Sequence, residues 1–135
     1  MSAQLRRLQR RFSRIPVAVR EAAQASLRLS GEELAETMRA LAPEDEGDLK
    51  GSIAVTPGGQ ATPPYSQPGG STIVPENGVM VTAGNADVRY PHLVEHGTEH
   101  AAAQPFFWPA FRIRRKRILN RTKRAIRKAI RETRG

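Results

Sequence analysis

The sequence predicts an α+β fold in which a long N-terminal helix and a basic C-terminal helix pack on a small antiparallel sheet. Apolar residues recur three, four or seven positions apart in the first third of the chain and again at its end, as on one face of a helix. Between these segments lie short stretches rich in β-branched residues, separated by Pro and Gly. The predicted order is helix, strand, long loop, two strands, a linking segment and helix.

Two prolines delimit the N-terminal helix. Pro16 lacks an N–H and is tolerated only near a helix start, so the main helix is expected to begin there, leaving residues 1–15 as a basic arm or short helix. Pro43 ends it because the residue before a proline is driven out of the helical region. Gly31 could allow a bend, but one continuous helix is expected. The apolar positions at helical spacing are Phe12, Ile15, Val19, Ala23, Leu27, Leu34, Met38 and Leu41.

Residues 16–135 are expected to form a single domain whose middle is the sheet. Residues 51–56 contain Ile, Val and Thr and favour a first strand. Residues 57–72 are mostly Pro, Gly, Ser, Thr and Gln and predict a long loop, either mobile or ordered by a partner. Residues 73–74 and 79–82 predict two further strand pieces on either side of a Pro-Glu-Asn-Gly turn.

The C-terminal helix is expected to start at Pro109 and to be amphipathic. Its apolar positions are Phe111, Ile118, Leu119, Thr122, Ala125, Ile126, Ala129 and Ile130. The opposite face is a candidate basic contact surface formed by Arg112, Arg114, Arg115, Lys116, Arg117, Arg121, Lys123, Arg124, Arg127, Lys128 and Arg131.

Charge is distributed unevenly along the chain, whose net charge is +9. Residues 1–20 hold six Arg and no acid, and residues 112–135 hold twelve Lys or Arg against one Glu. Residues 21–111 hold twelve acidic and four basic side chains. This asymmetry suits either contact with nucleic acid or a subunit whose acidic body meets the basic ends of its neighbours.

Composition also excludes several classes of protein. The chain has no Cys, so a disulfide framework, a thiolate metal site and a cysteine nucleophile are excluded. No apolar run approaches the roughly 18 residues that span a bilayer, and the N-terminus lacks the apolar core of a secretion signal. We therefore expect a protein that is soluble and intracellular when made and has no membrane partner.

The segment from His92 to His96 matches the H-x-x-E-H pattern of inverted zinc peptidases. On a helix both His would share one face, with Glu95 as general base. However, Pro91 precedes the pattern and Gly97 follows it, which leaves scarcely two helical turns. A third ligand would have to come from Glu99, His100 or Glu132. The context therefore predicts neither a metal site nor zinc hydrolysis.

No other pattern predicts catalysis or a cofactor. The acidic residues Glu44, Asp45, Glu46 and Asp48 are adjacent on a loop, where carboxylates are usually solvated. The glycine pairs at 58–59 and 69–70 lack the Lys and helix of a phosphate-binding loop. Ser52 and Ser71 have no recognisable base. The sequence predicts a protein that is not an enzyme.

Four of the seven aromatic residues cluster at the start of the C-terminal helix. Phe106, Phe107, Trp108 and Phe111 could stack on single-stranded nucleic acid. Such a cluster more often anchors a helix in the core or fills a subunit interface. Because Pro105 and Pro109 fix the backbone on both sides, the core-and-interface interpretation is favoured.

Several short motifs occur together in a specific order. They are Ala42-Pro43, Gly47-x-Leu49-x-x-Ser52-Ile53, Tyr90, Val94-Glu95-x-Gly97-Thr98, Ala103-Gln104-Pro105-Phe106 and Pro109-Ala110. Between about residues 20 and 125 this order resembles the neck or tail-completion family of long-tailed phages. The structural motif and interface residues that the resemblance implies, with the adjoining aromatics, are Gly47, Leu49, Ser52, Ile53, Tyr90, Val94, Glu95, Gly97, Thr98, Gln104, Pro105, Phe106, Phe107, Trp108 and Pro109.

The resemblance implies a small α+β subunit of a homo-oligomeric ring, of six or twelve copies, at the head-tail interface of the virion. Such a ring would contact neighbouring connector and tail proteins and would surround the passing DNA without catalysis. A tail-terminator ring that caps the tail tube has a similar size and fold type. A nucleic-acid-binding protein that uses its basic helix and arm is the alternative from another class.

Three features depart from the family pattern: His96, where an aromatic residue is usual, the long loop at 57–72, and the strongly basic C-terminal helix. Gly97 permits a positive φ, so the chain can reverse after Glu95. Glu95 is then expected to accept hydrogen bonds from backbone or Thr98 as a local brace, or to meet an Arg of the next subunit.

Overall fold

A computed structural model describes residues 2–13, 15–43 and 47–134. The α+β prediction is confirmed, because two long helices accompany a small antiparallel sheet. Residues 1, 14, 44–46 and 135 lie outside the described residues, and with them the predicted loop carboxylates Glu44, Asp45 and Glu46. The elements are α1 (Ala3–Ser13), α2 (Val17–Leu41), α3 (Gly47–Gly51), β1 (Ala54–Pro57), β2 (Val79–Thr82), α4 (Pro91–His96) and α5 (Phe107–Arg134).

Helix α2 begins and ends where the prolines predict. Pro16 occupies the N-cap position, and its carbonyl accepts the N–H groups of Val19 and Arg20. At the other end the Ala42 N–H donates to the Met38 carbonyl before the backbone becomes extended ahead of Pro43. Both predicted limits are therefore correct to within one residue.

Helix α2 runs without a break through Gly31, as expected, and the glycine has a packing reason. A Cβ atom at Gly31 would lie 3.0 Å from a methyl carbon of Val55 and 3.0 Å from one of Val79. Such distances are tighter than ordinary van der Waals contact, so glycine lets the sheet approach the helix closely. Gly31, which weakens the helix, is thus the residue at which α2 and the sheet approach each other closely.

The sheet is smaller than predicted. Strands β1 and β2 pair antiparallel with Ala54 opposite Thr82 and Pro57 opposite Val79. The prediction of a separate strand at residues 73–74 is wrong, because Ile73 makes an isolated bridge to Ala61. Within the described residues the sheet therefore has two strands, and four-residue strands of this kind depend on the helix beneath them.

The first strand was predicted to start at residue 51 but starts at Ala54. Residue 51 is instead the last residue of helix α3. Leu49 is fully buried and anchors this single helical turn in the core. The Ser52 N–H then donates to the carbonyls of Asp48 and Leu49, which closes the turn two residues before β1 starts. Burial of Leu49 thus accompanies a helical turn that takes up Gly51, the first residue of the predicted strand.

The loop at 57–72 makes several hydrogen bonds within its own chain, and contact with a partner stays a prediction. Gln67 and Ala83 exchange both backbone hydrogen bonds, at 2.8 and 3.0 Å, which ties the loop to the residue after β2. The Thr62 hydroxyl accepts the Thr72 N–H at 2.8 Å and is buried. Such side-chain and backbone pairs give a polar loop the hydrogen bonds that a sheet would otherwise supply.

Helices α2 and α5 pack antiparallel. The partners run in opposite directions along the two helices, since Arg114 bonds to Thr37 whereas Arg121 bonds to Ser30. The core lies between this helix pair and the sheet. Its buried residues are Leu34, Ala35, Met38, Ala42, Leu49, Ile53, Ala83, Val88, Phe106 and Ala110.

Candidate functional site

Glu95 caps the start of helix α5. Its Oε1 accepts the N–H groups of Phe106 at 2.9 Å and Phe107 at 2.8 Å, and its Oε2 accepts that of Trp108 at 3.3 Å. The first N–H groups of a helix have no partner within the helix, and the helix dipole places partial positive charge there. Glu95 is 8% exposed, so the pairing also satisfies a buried carboxylate. Of the two expected roles, the structure shows the backbone brace.

The segment after Glu95 is shaped to bring α5 back over it. Gly97 has φ of 79°, and a Cβ there would lie 2.7 Å from the Ala103 nitrogen. The Thr98 hydroxyl accepts the His100 and Ala101 N–H groups rather than contacting Glu95. The predicted chain reversal after Glu95 is therefore present and requires glycine.

The H-x-x-E-H pattern lies on α4, a helix of six residues. The carboxylate that zinc hydrolysis would need as a base is already occupied by three backbone N–H groups. His92 and His96 are exposed at an open cavity of about 240 Å³. Among the described residues no cluster of three His, Cys, Asp or Glu could hold a metal ion.

The motif at residues 47–53 holds the body together. Leu49 and Ile53 belong to the core. Ser52 is buried, and its hydroxyl donates to the Leu49 carbonyl at 2.7 Å and accepts the Gly84 N–H at 2.9 Å. The hydroxyl therefore joins α3 to the segment after β2. Ser52 has a structural role, and no nucleophile or base is arranged around it in the described residues.

The aromatic cluster divides between core and surface. Phe106 is 1% exposed, whereas Trp108 and Phe111 are 42% and 38% exposed. Neighbouring rings meet edge to face, with centroids 6.3 Å apart for Phe106 and Phe107 and 4.9 Å apart for Phe107 and Trp108. The buried Phe106 ring is thus linked through Phe107 to the exposed ring of Trp108.

An apolar groove lies beside these exposed rings. It has a volume of about 260 Å³ and lies between α2, β2 and the first turns of α5. We call it the α2–β2–α5 groove. Its lining residues are Leu27, Ser30, Gly31, Leu34, Met38, Pro68, Val79, Met80, Val81, Phe107, Trp108, Phe111 and Ile118.

The remaining interface residues implied by the sequence are placed around this region. Tyr90 and Val94 are half-buried and pack against the core. The Gln104 N–H donates to the Val94 carbonyl at 2.8 Å, although the residue itself is exposed. The two prolines differ, since Pro105 is exposed and Pro109 is half-buried in the first turn of α5. Gly47 begins α3, away from this cluster along the chain.

Three of the candidate basic residues lie next to α2, and of these Arg117 is still more than half exposed. Arg121 donates to Glu33 at 2.9 Å, and Arg117 lies 3.5 Å from the same carboxylate. Arg114 donates to the Thr37 hydroxyl at 2.8 Å. The hydrogen bond from Arg121 lowers the pKa of Glu33, and the charges of all three Arg add to that effect against partial desolvation. These side chains therefore form a polar seam between the helices.

The other eight candidate basic residues are exposed and form no ion pair within the described part of the chain. They are Arg112, Arg115, Lys116, Lys123, Arg124, Arg127, Lys128 and Arg131. Together these side chains form the exposed cationic surface of α5.

Sequence reasoning missed the groove residues Gly31, Pro68 and Met80, and also missed Arg39, which donates to the Ile53 carbonyl at 2.8 Å. The available signal was a glycine inside a helix that faces a strand rich in Val. Such a glycine often marks close packing between two elements.

The comparisons with known proteins bear on this architecture. Residues 6–97 match a family model described as "Bacteriophage HK97-gp10, putative tail-component". The match runs from α1 to Gly97 and includes Glu95, but it ends before the aromatic cluster and α5. No curated protein and no solved structure gives a significant match.

None of the helices in the described ranges combines the length and apolar character needed to cross a bilayer. The family match covers more than half of the chain and agrees with the neck and tail-completion resemblance of its motifs. A structural role in the phage tail or neck, in association with other tail proteins, follows from that match. The chain belongs to the HK97-gp10-like family of phage tail components.

Proposed function

We propose that this chain is a non-enzymatic ring subunit of a phage or phage-like head-tail connector. In this role, six or twelve copies join the portal-side complex to the tail and surround the passage for DNA. The observation that carries the proposal is the family match over residues 6–97, which describes a tail component. The geometry around Glu95 adds support for a non-enzymatic role. Glu95 is the acidic residue of the H-x-x-E-H pattern, and its carboxylate caps helix α5.

The exposed surface also suits assembly. Trp108 and Phe111 remain more than one-third exposed beside an apolar groove. Aromatic residues at the centre of a contact patch contribute much of the energy of protein interfaces. A subunit that buries these rings against a neighbour would gain apolar burial that the monomer lacks.

The charge distribution supports contact with acidic surfaces of neighbouring proteins. The eight exposed cations of α5 have no ion-pair partner in the described part of the chain, whereas Arg114, Arg117 and Arg121 lie beside Glu33 and Thr37 of α2. A passage through which DNA slides should not hold phosphate tightly. We therefore place the exposed α5 cations mainly against acidic surfaces of neighbouring proteins, with DNA close to the ring.

Electron microscopy and native mass spectrometry of the purified full chain test the ring. The proposal predicts closed rings of six or twelve copies. Trp108→Glu should weaken assembly because it places a charge at the interface, whereas Glu99→Gln, an exposed change in the segment before α5, should leave it intact. A wild-type chain that stays monomeric in isolation and in the particle would contradict the proposal.

A second candidate is a nucleic-acid-binding protein, which the exposed α5 cations favour. Binding that neutralises phosphates weakens with salt, with log K falling by about 0.9 per phosphate for each unit of log salt concentration. Titration of duplex DNA at several salt concentrations separates the candidates. A steep slope that disappears when Lys123, Arg124, Arg127 and Lys128 are replaced by Gln would favour nucleic acid. A third candidate, a tail-terminator ring, is distinguished by locating the protein at the end of free tails.

A further inference from the structure

We propose that the outer side of helix α5 binds an acidic amphipathic helix of another virion protein. This inference rests on the proposed function for the presence of neighbouring virion proteins, and it names the chemistry of the one that α5 contacts. The surface concerned is the C-terminal half of α5, beyond the aromatic rings of Trp108 and Phe111.

Apolar side chains form a stripe along this half of α5. Leu119, Ile126 and Ile130 are spaced by seven and four residues, which places them on one side of a helix with 3.6 residues per turn. Leu119 is 52% and Ile130 is 36% exposed, and Ile126 is half-buried. We call these three residues the apolar stripe. The fold of the single chain leaves the stripe open to solvent.

A row of cations runs beside the apolar stripe. Lys116, Lys123 and Arg127 each lie three residues before a member of the stripe, so they are its neighbours on the helix surface. All three are exposed and form no ion pair within residues 2–13, 15–43 and 47–134. We call them the basic flank. Helix α5 has no acidic residue before Glu132, so it offers the flank no carboxylate within one turn.

An apolar stripe bordered by charges of one sign is a surface that another amphipathic helix recognises. In paired helices, apolar residues three and four positions apart fill the contact, and the charged residues beside them select the partner. Because the flank is positive, the matching helix carries Asp or Glu beside its own apolar residues. The stripe extends over eleven residues, or about 16 Å, which corresponds to about three turns of the partner helix.

Charge argues against a second copy of this chain as the partner. Two α5 helices side by side would bring their basic flanks together, since neither supplies a carboxylate. Helix α2 carries more acidic residues than any other described helix, but its Glu33 and Glu36 already pair with Arg residues of the same chain. The acidic helix is therefore assigned to a different protein.

The apolar stripe argues against DNA as the occupant of this side of α5. Phosphate groups are bound by cations and need no apolar side chains between those cations. Arg124 and Arg131 are exposed on another side of the helix, away from the stripe. DNA would use cations on both sides, whereas an acidic helix seated on the stripe uses the basic flank.

Photo-cross-linking in assembled particles tests the contact. Benzoylphenylalanine replaces Leu119 in the full chain, and the peptide that becomes cross-linked to it is sequenced by mass spectrometry. The proposal predicts a peptide of another virion protein that has apolar residues at helical spacing and Asp or Glu beside them. Ile113, which is 60% exposed on a different side of α5, is the matched control position and should give several-fold less product. A cross-link from position 119 to this chain or to DNA, or no cross-link, would overturn the proposal.

Charge reversal separates the basic flank from the net charge of the helix. Lys116→Glu/Lys123→Glu should lower the yield of the cross-link from position 119 several-fold. Arg124→Glu/Arg131→Glu makes the same change in charge on the other side of α5 and should largely preserve the yield. Both variants are required to keep the wild-type circular dichroism spectrum and melting temperature, and an equal loss in the two would also overturn the proposal.

The same particles distinguish this contact from the proposed function. Particles that contain the chain and assemble normally, but give no cross-link from position 119, would remove the contact on α5 alone. Absence of the chain from purified particles would contradict the proposed function and this contact with it.

Discussion

The Glu95 carboxylate accepts the Phe107 N–H at 2.8 Å across twelve residues of sequence. This contact links α4, at the end of the family-matched region, to the first residue of α5. The H-x-x-E-H pattern resembles a metal site, but its Glu95 fixes the start of α5 to α4.

Replacing Glu95 with Ala should lower the free energy of unfolding by about 1 to 3 kcal/mol, because buried N–H groups lose their acceptor. Urea denaturation followed by circular dichroism measures the change. Glu99→Ala, an exposed neighbour, is the control and should change stability by less than about 0.5 kcal/mol. Equal effects at the two positions would show that Glu95 does not brace α5.

Truncation of Phe106 should mainly lower the stability of the monomer, whereas truncation of Trp108 should mainly weaken self-association. Phe106→Ala removes a buried ring and should cost about 3 to 5 kcal/mol of monomer stability. Trp108→Ala should cost less than about 1 kcal/mol in the monomer, since the ring is nearly half exposed, but it should weaken self-association. Denaturation and sedimentation velocity measure the two effects; a large monomer loss at Trp108 with unchanged assembly would place that ring in the core.

Glu33 should make stability depend on acid pH. Its pKa is held below the ordinary value of 4.5, first by the hydrogen bond from Arg121. A carboxyl with a lower pKa in the folded state stabilises the fold above its unfolded pKa, and this contribution is lost as pH falls through the folded pKa. Glu33→Gln should therefore show a shallower loss of stability below pH 4.5 than the wild type.

The control for Glu33 is Glu32→Gln on the exposed side of α2. It should retain the wild-type acid slope in denaturation curves recorded at a series of pH values. The same acid slope in both variants would show that the pairing of Glu33 with the Arg residues of α5 does not contribute to the pH dependence of stability.

Gly31→Val should destabilise the chain by about 1 to 3 kcal/mol, because its side chain must displace Val55 or Val79. Gly51→Ala is the companion change, since a Cβ there meets nothing within 4 Å, and it should be close to neutral. Thermal unfolding of both variants measures the difference. A Gly31→Val chain as stable as the wild type would mean that helix and sheet are not in close contact.

The helix limits were predictable because proline acts locally. Pro16 and Pro43 restrict the backbone whatever surrounds them, and α2 ends at both. The sheet was harder to predict, since α3 depends on burial of Leu49, and Ile73 finds a partner for a single bridge. These outcomes depend on contacts between residues distant in sequence.

In the candidate site, too, local features were predictable from the sequence and contacts between distant residues were not. The sequence predicted that Gly97 reverses the chain, but it left Glu95 open as either a local brace or the partner of an Arg in the next subunit, and it did not identify the N–H groups that Glu95 binds. Likewise it grouped all eleven basic residues of α5, whereas Arg114 and Arg121 face α2. Which side of a basic helix is paired depends on the acidic helix beside it.

Electron microscopy of particles made without this chain tests most directly whether the chain joins heads to tails. Lysates of a phage lacking the gene should contain separate DNA-filled heads and separate tails, and the wild-type chain supplied in trans should restore joined particles. Joined, infectious particles in the absence of the chain would contradict the account.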